Sequence, residues 1–203
     1  MKSKSSDRWL REHVSDKHVK QAVAEGYRSR AVYKLMALDE KDGLIKPGAT
    51  VLELGAAPGG WTQYLAEKVG KSGKVVASDI LEMDGFTGVT IIQGDFTDNE
   101  VADRIEMAMG GGADAVLSDM APNLSGVAVS DQARAMGLAE LALDMAKTVL
   151  NTDGVFVVKL FQGEGFDPFM RELKSAFKSV KVRKPEASRA RSREIYAVAR
   201  NLI

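Results

Sequence analysis

One stretch constrains this chain more than any other: the apolar, β-branched run Val51-Leu52-Glu53-Leu54, which stops at Gly55. The small residues Ala56-Ala57-Pro58-Gly59-Gly60 follow, and an amphipathic helical pattern begins near Trp61 and runs towards Val69. Strand, tight turn and helix form the first unit of an open α/β sheet, whose ligands sit outside the carboxyl ends of the strands. Glycines let a backbone approach a ligand closely, and a helix N-terminus offers unpaired N–H groups. The loop departs from G-x-G-x-x-G, which argues against a pyrophosphate. Glu53 before the turn, and Asp79 about 20 positions after Gly59, suit a ligand carrying an amino group and a ribose. S-adenosylmethionine has both.

The remaining elements alternate. The pattern predicts strands at Lys74–Ile80, Val89–Ile92, Asp114–Ser118 and Val155–Phe161, a short one near 180–182, and a last one over Glu194–Ala199. Helices are expected at about Asn99–Met109, Asp131–Leu150 and Pro168–Phe177. The expected fold is therefore α/β and Rossmann-like, a mainly parallel doubly wound sheet with an antiparallel last strand. Ahead of it, residues 1–46 read as a helical extension. One helix spans Arg8–Glu25, carries Trp9, Leu10, Val14, Val19, Ala22 and Val23, and stops at Gly26. A second is capped by Ser29 and holds Val32, Leu35 and Met36 on one side. At 203 residues the whole reads as one domain with a core at 47–203.

Composition narrows the chemistry. With no cysteine, thiolate metal sites, disulfides and cysteine nucleophiles are excluded. His13 and His18 lie in the polar first helix without a third ligand, so no metal is expected. No apolar run is long enough for a membrane span and no signal-peptide pattern opens the chain, so the expectation is a cytoplasmic protein off the membrane, taken as a monomer although its sequence does not fix the oligomeric state. Charge is uneven: residues 1–46 carry 11 basic against 7 acidic side chains, 47–170 carry 7 against 18, and 171–203 carry 10 against 3. An acidic middle between basic ends fits a polyanionic partner. Candidate phosphate contacts are Arg30, Lys181, Arg183, Arg189, Arg191 and Arg193, with Lys184 beside them.

Lys159 interrupts a strand that otherwise buries every side chain, and a buried ammonium is costly unless paired. Asp119 ends strand four and Lys159 lies near the end of strand five, so both reach one rim of a parallel sheet. An antiparallel last strand would bring Glu194 to the same rim. Asp79 and Asp95, at the ends of strands two and three, are placed to accept from ribose hydroxyls and an adenine amino group, although either is also a favoured turn residue.

Taken together, Ser29-Arg30-Ala31-Val32-Tyr33-Lys34-Leu35, the Leu54–Trp61 turn, Gln93-Gly94-Asp95-Phe96, Ser118-Asp119-Met120-Ala121-Pro122-Asn123, Val157–Gly163 and Ser188–Glu194 resemble the FtsJ-type family of RNA 2′-O-ribose methyltransferases. The resemblance runs from about Arg8 to Ala199. It implies a Lys-Asp-Lys-Glu tetrad at Lys34, Asp119, Lys159 and Glu194, and S-adenosylmethionine contacts at Gly59, Trp61, Asp79, Asp95 and Asp119. It further implies a 23S rRNA substrate within the large ribosomal subunit, methylated at a uridine of the peptidyl-transferase-centre A-loop. In such a reaction Lys159 is either a general base or a fixed cation that stabilises oxyanion charge, and the sequence leaves both open. Rival readings are a tRNA 2′-O-methyltransferase, a non-catalytic RNA-binding assembly factor, and a small-molecule O-methyltransferase with Mg²⁺ held by Asp119 and Asn123.

Overall fold

A computed structural model of the chain describes residues 16–189 and 192–203. The expected first helix is described as α1, Lys17–Glu25; its anticipated start at Arg8, with Trp9, Leu10, His13 and Val14, and the candidate Arg191 lie outside the described residues. Asp16 caps α1 by accepting from the His18 N–H, and Gly26 closes it in the left-handed conformation. Of its apolar residues only Ala22 is buried, whereas Val23 is exposed.

Next come α2 (Val32–Asp42), β1 (Thr50–Leu54), α3 (Gly60–Val69), β2 (Lys74–Asp79), β3 (Val89–Gln93) and α4 (Asn99–Met109). The chain continues with β4 (Ala113–Ser118), α5 (Ala128–Val149), β5 (Leu150–Phe161), α6 (Phe166–Ala176), β6 (Phe177–Arg183) and β7 (Glu194–Leu202). Element types match the expectation, while α5, β5, β6 and β7 are longer than their sequence patterns suggested. The expected Ser29 cap is displaced: Ser29 Oγ accepts from Ala31 N–H in the turn before α2, and Ala31 occupies the cap position without a side-chain bond.

The seven strands lie in the order β3-β2-β1-β4-β5-β7-β6. β1 pairs parallel with β2 and β4, β2 with β3 and β4 with β5, while β7 is antiparallel to both β5 and β6. Order reverses between β1 and β4, so the crevice for a ligand opens at their carboxyl ends. Reversal of β7 brings its first residue, Glu194, opposite Phe161 at that same rim.

Each face of the sheet carries its own core. Leu54, Val76, Val116, Phe156, Val158 and Leu160 pack against α4, α5 and α6. Val51, Val75, Leu117, Val157, Tyr196 and Val198 pack against Leu35 and Leu38 of α2 and Trp61 and Leu65 of α3. The second helix of the extension, α2, is thus integrated into the second core. Leu35 and Leu38 are fully buried, each stabilising the fold by roughly 1.5–3 kcal/mol. Asp39 clamps the end of α2: Oδ1 accepts from the Leu44 and Ile45 N–H groups at 2.7 and 2.9 Å, and Oδ2 accepts from the Tyr64 hydroxyl at 2.7 Å and pairs with Lys68. Lys34 is thereby fixed one residue from a core leucine, on the sheet face that also carries Lys159 and Tyr196.

Candidate active site

The turn after β1 is held by its neighbours. Gly55 and Ala56 donate to Ser78 O, Ala57 N–H donates to Asp79 Oδ2 at 2.8 Å, and Asp119 N–H reaches back to Leu54 O. Gly59 adopts φ +102°, and a Cβ there would come within 2.6 Å of the Phe86 ring, so both conformation and packing demand glycine. α3 starts at the next residue, so its first N–H groups point into the rim without intrahelical partners. Glu53 lies beneath this turn, 1 % exposed, with Oε2 accepting from the Thr62 hydroxyl at 2.6 Å. Burial pushes its carboxyl up to about 8, the Thr62 bond opposes this, and the charges of Asp119 and Asp79 add to it. Glu53 therefore ties β1 to α3 from within the core.

At the carboxyl rim the structure brings Lys34, Asp119, Lys159 and Glu194 together as two ion pairs. Lys34 Nζ lies 2.7 Å from Glu194 Oε1 and donates to Oε2 at 2.9 Å. Lys159, 8 % exposed, lies 3.2 Å from Asp119 Oδ1 and also donates to the Asp119 carbonyl. Two of the three donors of an ammonium are thus used, and one is left for a substrate oxygen.

Tyr196 joins the pairs. It sits directly opposite Lys159 in the β5–β7 ladder and two residues from Glu194, hence on the same face. Its hydroxyl donates to Asp119 Oδ1 at 2.6 Å, and Lys34 Nζ stands 6.0 Å from its ring centroid. Burial, then the charges of Asp119 and Glu194, hold the phenol well above its ordinary pKa, so it remains a donor. Ser188 Oγ adds a 3.0 Å bond to Glu194 Oε1. Sequence reasoning missed both residues. The available signal was that a buried tyrosine must find a partner for its hydroxyl.

The expected cofactor residues divide. Asp79 ends β2 and accepts from Ala57 and Leu81 N–H groups at 2.8 Å each, which fixes its carboxylate at the rim. Asp95 is exposed two residues beyond β3, with Oδ1 accepting from the Thr97 N–H and hydroxyl in a local turn. Trp61 stands second in α3, its side chain buried in the core with Nε1–H donating to Ala31 O at 2.7 Å and its ring 5.9 Å from that of Tyr196, so its backbone N–H is the group it has to offer at the rim.

The basic candidates divide too. Arg183 is held bidentately by Asp42, with both bonds at 2.7 Å, and joins β6 to the end of α2 instead of presenting a free guanidinium. Arg30 donates to Asp16 and to Ala187 O, and Arg189 Nε stands 3.6 Å from the same Asp16 carboxylate. Lys181 and Arg193 are exposed, Arg193 immediately beside Glu194 at the rim.

An open α/β sheet with this strand order and polar residues gathered at its carboxyl rim defines a methyltransferase-type fold. It is shared with human methyltransferase-like protein 13, crystallised with S-adenosylhomocysteine (TM-score 0.56, 16% identity, 84% of this chain and 79% of that one). The chain belongs to the FtsJ-like methyltransferase family, whose model matches residues 27–202. A Plasmodium falciparum protein assigned as a ribosomal RNA methyltransferase superposes with TM-score 0.76 at 30% identity, over 87% of this chain and 98% of that one. Two curated bacterial relatives carry the name ribosomal RNA large subunit methyltransferase E. That of Chromohalobacter salexigens is 59% identical over 97% of this chain and 94% of its own length. That of Cellvibrio japonicus is 56% identical over 100% and 96%.

Proposed function

We propose that this methyltransferase uses S-adenosylmethionine to methylate a ribose 2′-hydroxyl of 23S rRNA, at a uridine of the A-loop in the assembled large subunit. The observation that carries the reading is the pair of bridged ion pairs beside the β1–α3 turn. A ribose hydroxyl is a weak nucleophile, and it needs a positioned proton acceptor or a fixed cation beside its oxygen. Names of the full-length relatives support an rRNA substrate.

The donor set fits the cofactor: helix N–H groups at the start of α3, the Asp79 carboxylate for ribose hydroxyls and Asp95 for an amino group. When bound, S-adenosylmethionine supplies a methyl group activated on sulfur. Lys159, held by Asp119, directs its remaining N–H at the 2′-oxygen and stabilises the charge that develops there as the hydroxyl proton is released to solvent water. Tyr196 and Ser188 keep Asp119 and Glu194 oriented, and Lys34 balances Glu194. Asp119 Oδ1 is already committed to Tyr196 and Lys159, so a divalent cation is poorly served there, which disfavours the Mg²⁺-dependent alternative.

The test is to map 2′-O-methyl groups on unmodified large subunits incubated with the protein and methyl-labelled S-adenosylmethionine. One methylated uridine in the A-loop is the expected result. A methyl group on a base, or on tRNA only, overturns the reading, and subunit binding without transfer favours the assembly-factor alternative.

A further inference from the structure

A cavity of about 220 Å³ opens between the β4–α5 loop, the start of α5 and the end of β5, and of its lining only Arg193 has a place at the rim described above. Its walls include Pro122, Leu124, Gln132, Phe161 and Arg193. Chain continuity sets it beside the site. Pro122 follows Asp119 by three residues, Phe161 pairs with Glu194 across the β5–β7 ladder, and Arg193 directly precedes Glu194. The volume is below the roughly 300–1,000 Å³ of small-molecule sites and offers room for a single base.

The walls are built rather than incidental. Asp131 holds the loop, accepting from the Ser125 N–H and hydroxyl at 2.8 and 2.7 Å and from Gly126 N–H at 3.1 Å. Gln132 is buried, and its Nε2 donates to both Phe161 O and Glu164 O, each at 3.0 Å. Two carbonyl partners fix the amide orientation, because a flipped amide would set oxygen against oxygen. A Cβ at Gly163 would lie 2.9 Å from Gln132 Cδ, so the amide is also clamped from one side. With both amide hydrogens used, Gln132 offers the cavity an acceptor, Oε1. Arg193 adds a donor, Phe161 an aromatic surface, and Leu124, 80 % exposed, an apolar edge.

We propose that this cavity receives the base of the acceptor nucleotide and that Gln132 selects a base with a ring N–H at its pairing edge, uracil among pyrimidines. The proposal rests on the ribose-methylation reading. Uracil presents N3–H to Oε1 and a neighbouring carbonyl to Arg193, with its faces against Phe161 and Leu124. Cytosine presents a bare N3 acceptor at the same position, and two acceptors facing each other leave both unpaired.

The test uses large subunits reconstituted with rRNA carrying uridine or cytidine at the methylated position, and reads single-turnover methyl transfer. Wild-type protein is expected to prefer uridine by about tenfold or more, and Gln132→Met to fall below about threefold with unchanged S-adenosylmethionine affinity. Leu124→Asp, on an exposed side chain the fold does not need, is expected to lower kcat/KM for RNA about tenfold, which decides the matter should Gln132→Met fail to fold. Undiminished uridine preference in Gln132→Met, or unchanged kcat/KM in Leu124→Asp, overturns the subsite while normal ribose methylation by wild type leaves the broader reading standing. Absence of ribose methylation by wild type overturns both.

Discussion

Tyr196 donates its hydroxyl to Asp119 Oδ1 at 2.6 Å from the position directly opposite Lys159 in the β5–β7 ladder. One phenol thus fixes the carboxylate that holds the site's most buried ammonium. The antiparallel run of β7 makes this possible, since it places Glu194 and Tyr196 on one face at the rim where β4 and β5 end.

Tyr196→Phe removes that hydrogen bond and keeps the ring between Trp61 and Lys34. A hydrogen bond to a charged group contributes about 1.5–3 kcal/mol, so kcat is expected to fall about tenfold, with S-adenosylmethionine affinity unchanged. Equal losses in kcat and cofactor affinity would place Tyr196 in cofactor binding instead.

Arg183 and Lys181 separate stability from RNA capture. Arg183→Ala strands the buried Asp42 carboxylate, which the Arg183 hydrogen bonds hold below its usual pKa, and is expected to cost about 1–3 kcal/mol and several degrees of Tm. Lys181→Ala is expected to leave Tm unchanged and to reduce the salt slope of RNA binding by about 1. Thermal melts and RNA titrations from 50 to 300 mM salt, on the order of the range where counterion release is read, check both. A reduced salt slope in Arg183→Ala with unchanged Tm would favour the phosphate-contact role over the structural one.

Glu53 gives the stability a pH dependence opposite in sign to that of Asp42. Its folded carboxyl titrates at about 8 against an ordinary 4.5, so the folded state keeps a proton that the unfolded state has released. Stability therefore falls as pH rises between those values, at up to roughly 1.4 kcal/mol per pH unit, and levels off above the folded value. Glu53→Gln, which preserves a partner for Thr62, is expected to flatten that slope and to be the more stable protein at pH 8. Urea midpoints from pH 5 to 9 measure it, and parallel curves for the two proteins would refute a buried, protonated Glu53.

Much of this arrangement was legible in the sequence. Strands and helices alternate with clear periods, and the ends of parallel strands share a rim, so Asp119, Lys159 and Glu194 could be gathered before any coordinates. What the sequence left hidden has a common physical origin. Arg183 reads as a free cation because its partner, Asp42, lies 141 residues away in sequence, and Arg30 is tied to Ala187 O across 157. Tyr196 and Trp61 are aromatic residues in core patterns, and only packing decides whether such a ring serves the core, the site or both. Gly59 suggested close approach of a ligand, and the structure adds Phe86 as a second reason for its missing side chain. Val23 shows the same limit at a helix, whose apolar spacing does not say which residues a neighbour will cover.

The account depends most on Lys159 acting at the 2′-oxygen from within its pair with Asp119. Its most direct test is methyl transfer to large subunits by Lys159→Ala, measured beside S-adenosylmethionine binding by calorimetry. The account predicts a loss in kcat of about 10²–10⁴-fold with cofactor affinity within about twofold of wild type. Transfer at the wild-type rate by a Lys159→Ala protein that binds the cofactor normally would contradict it.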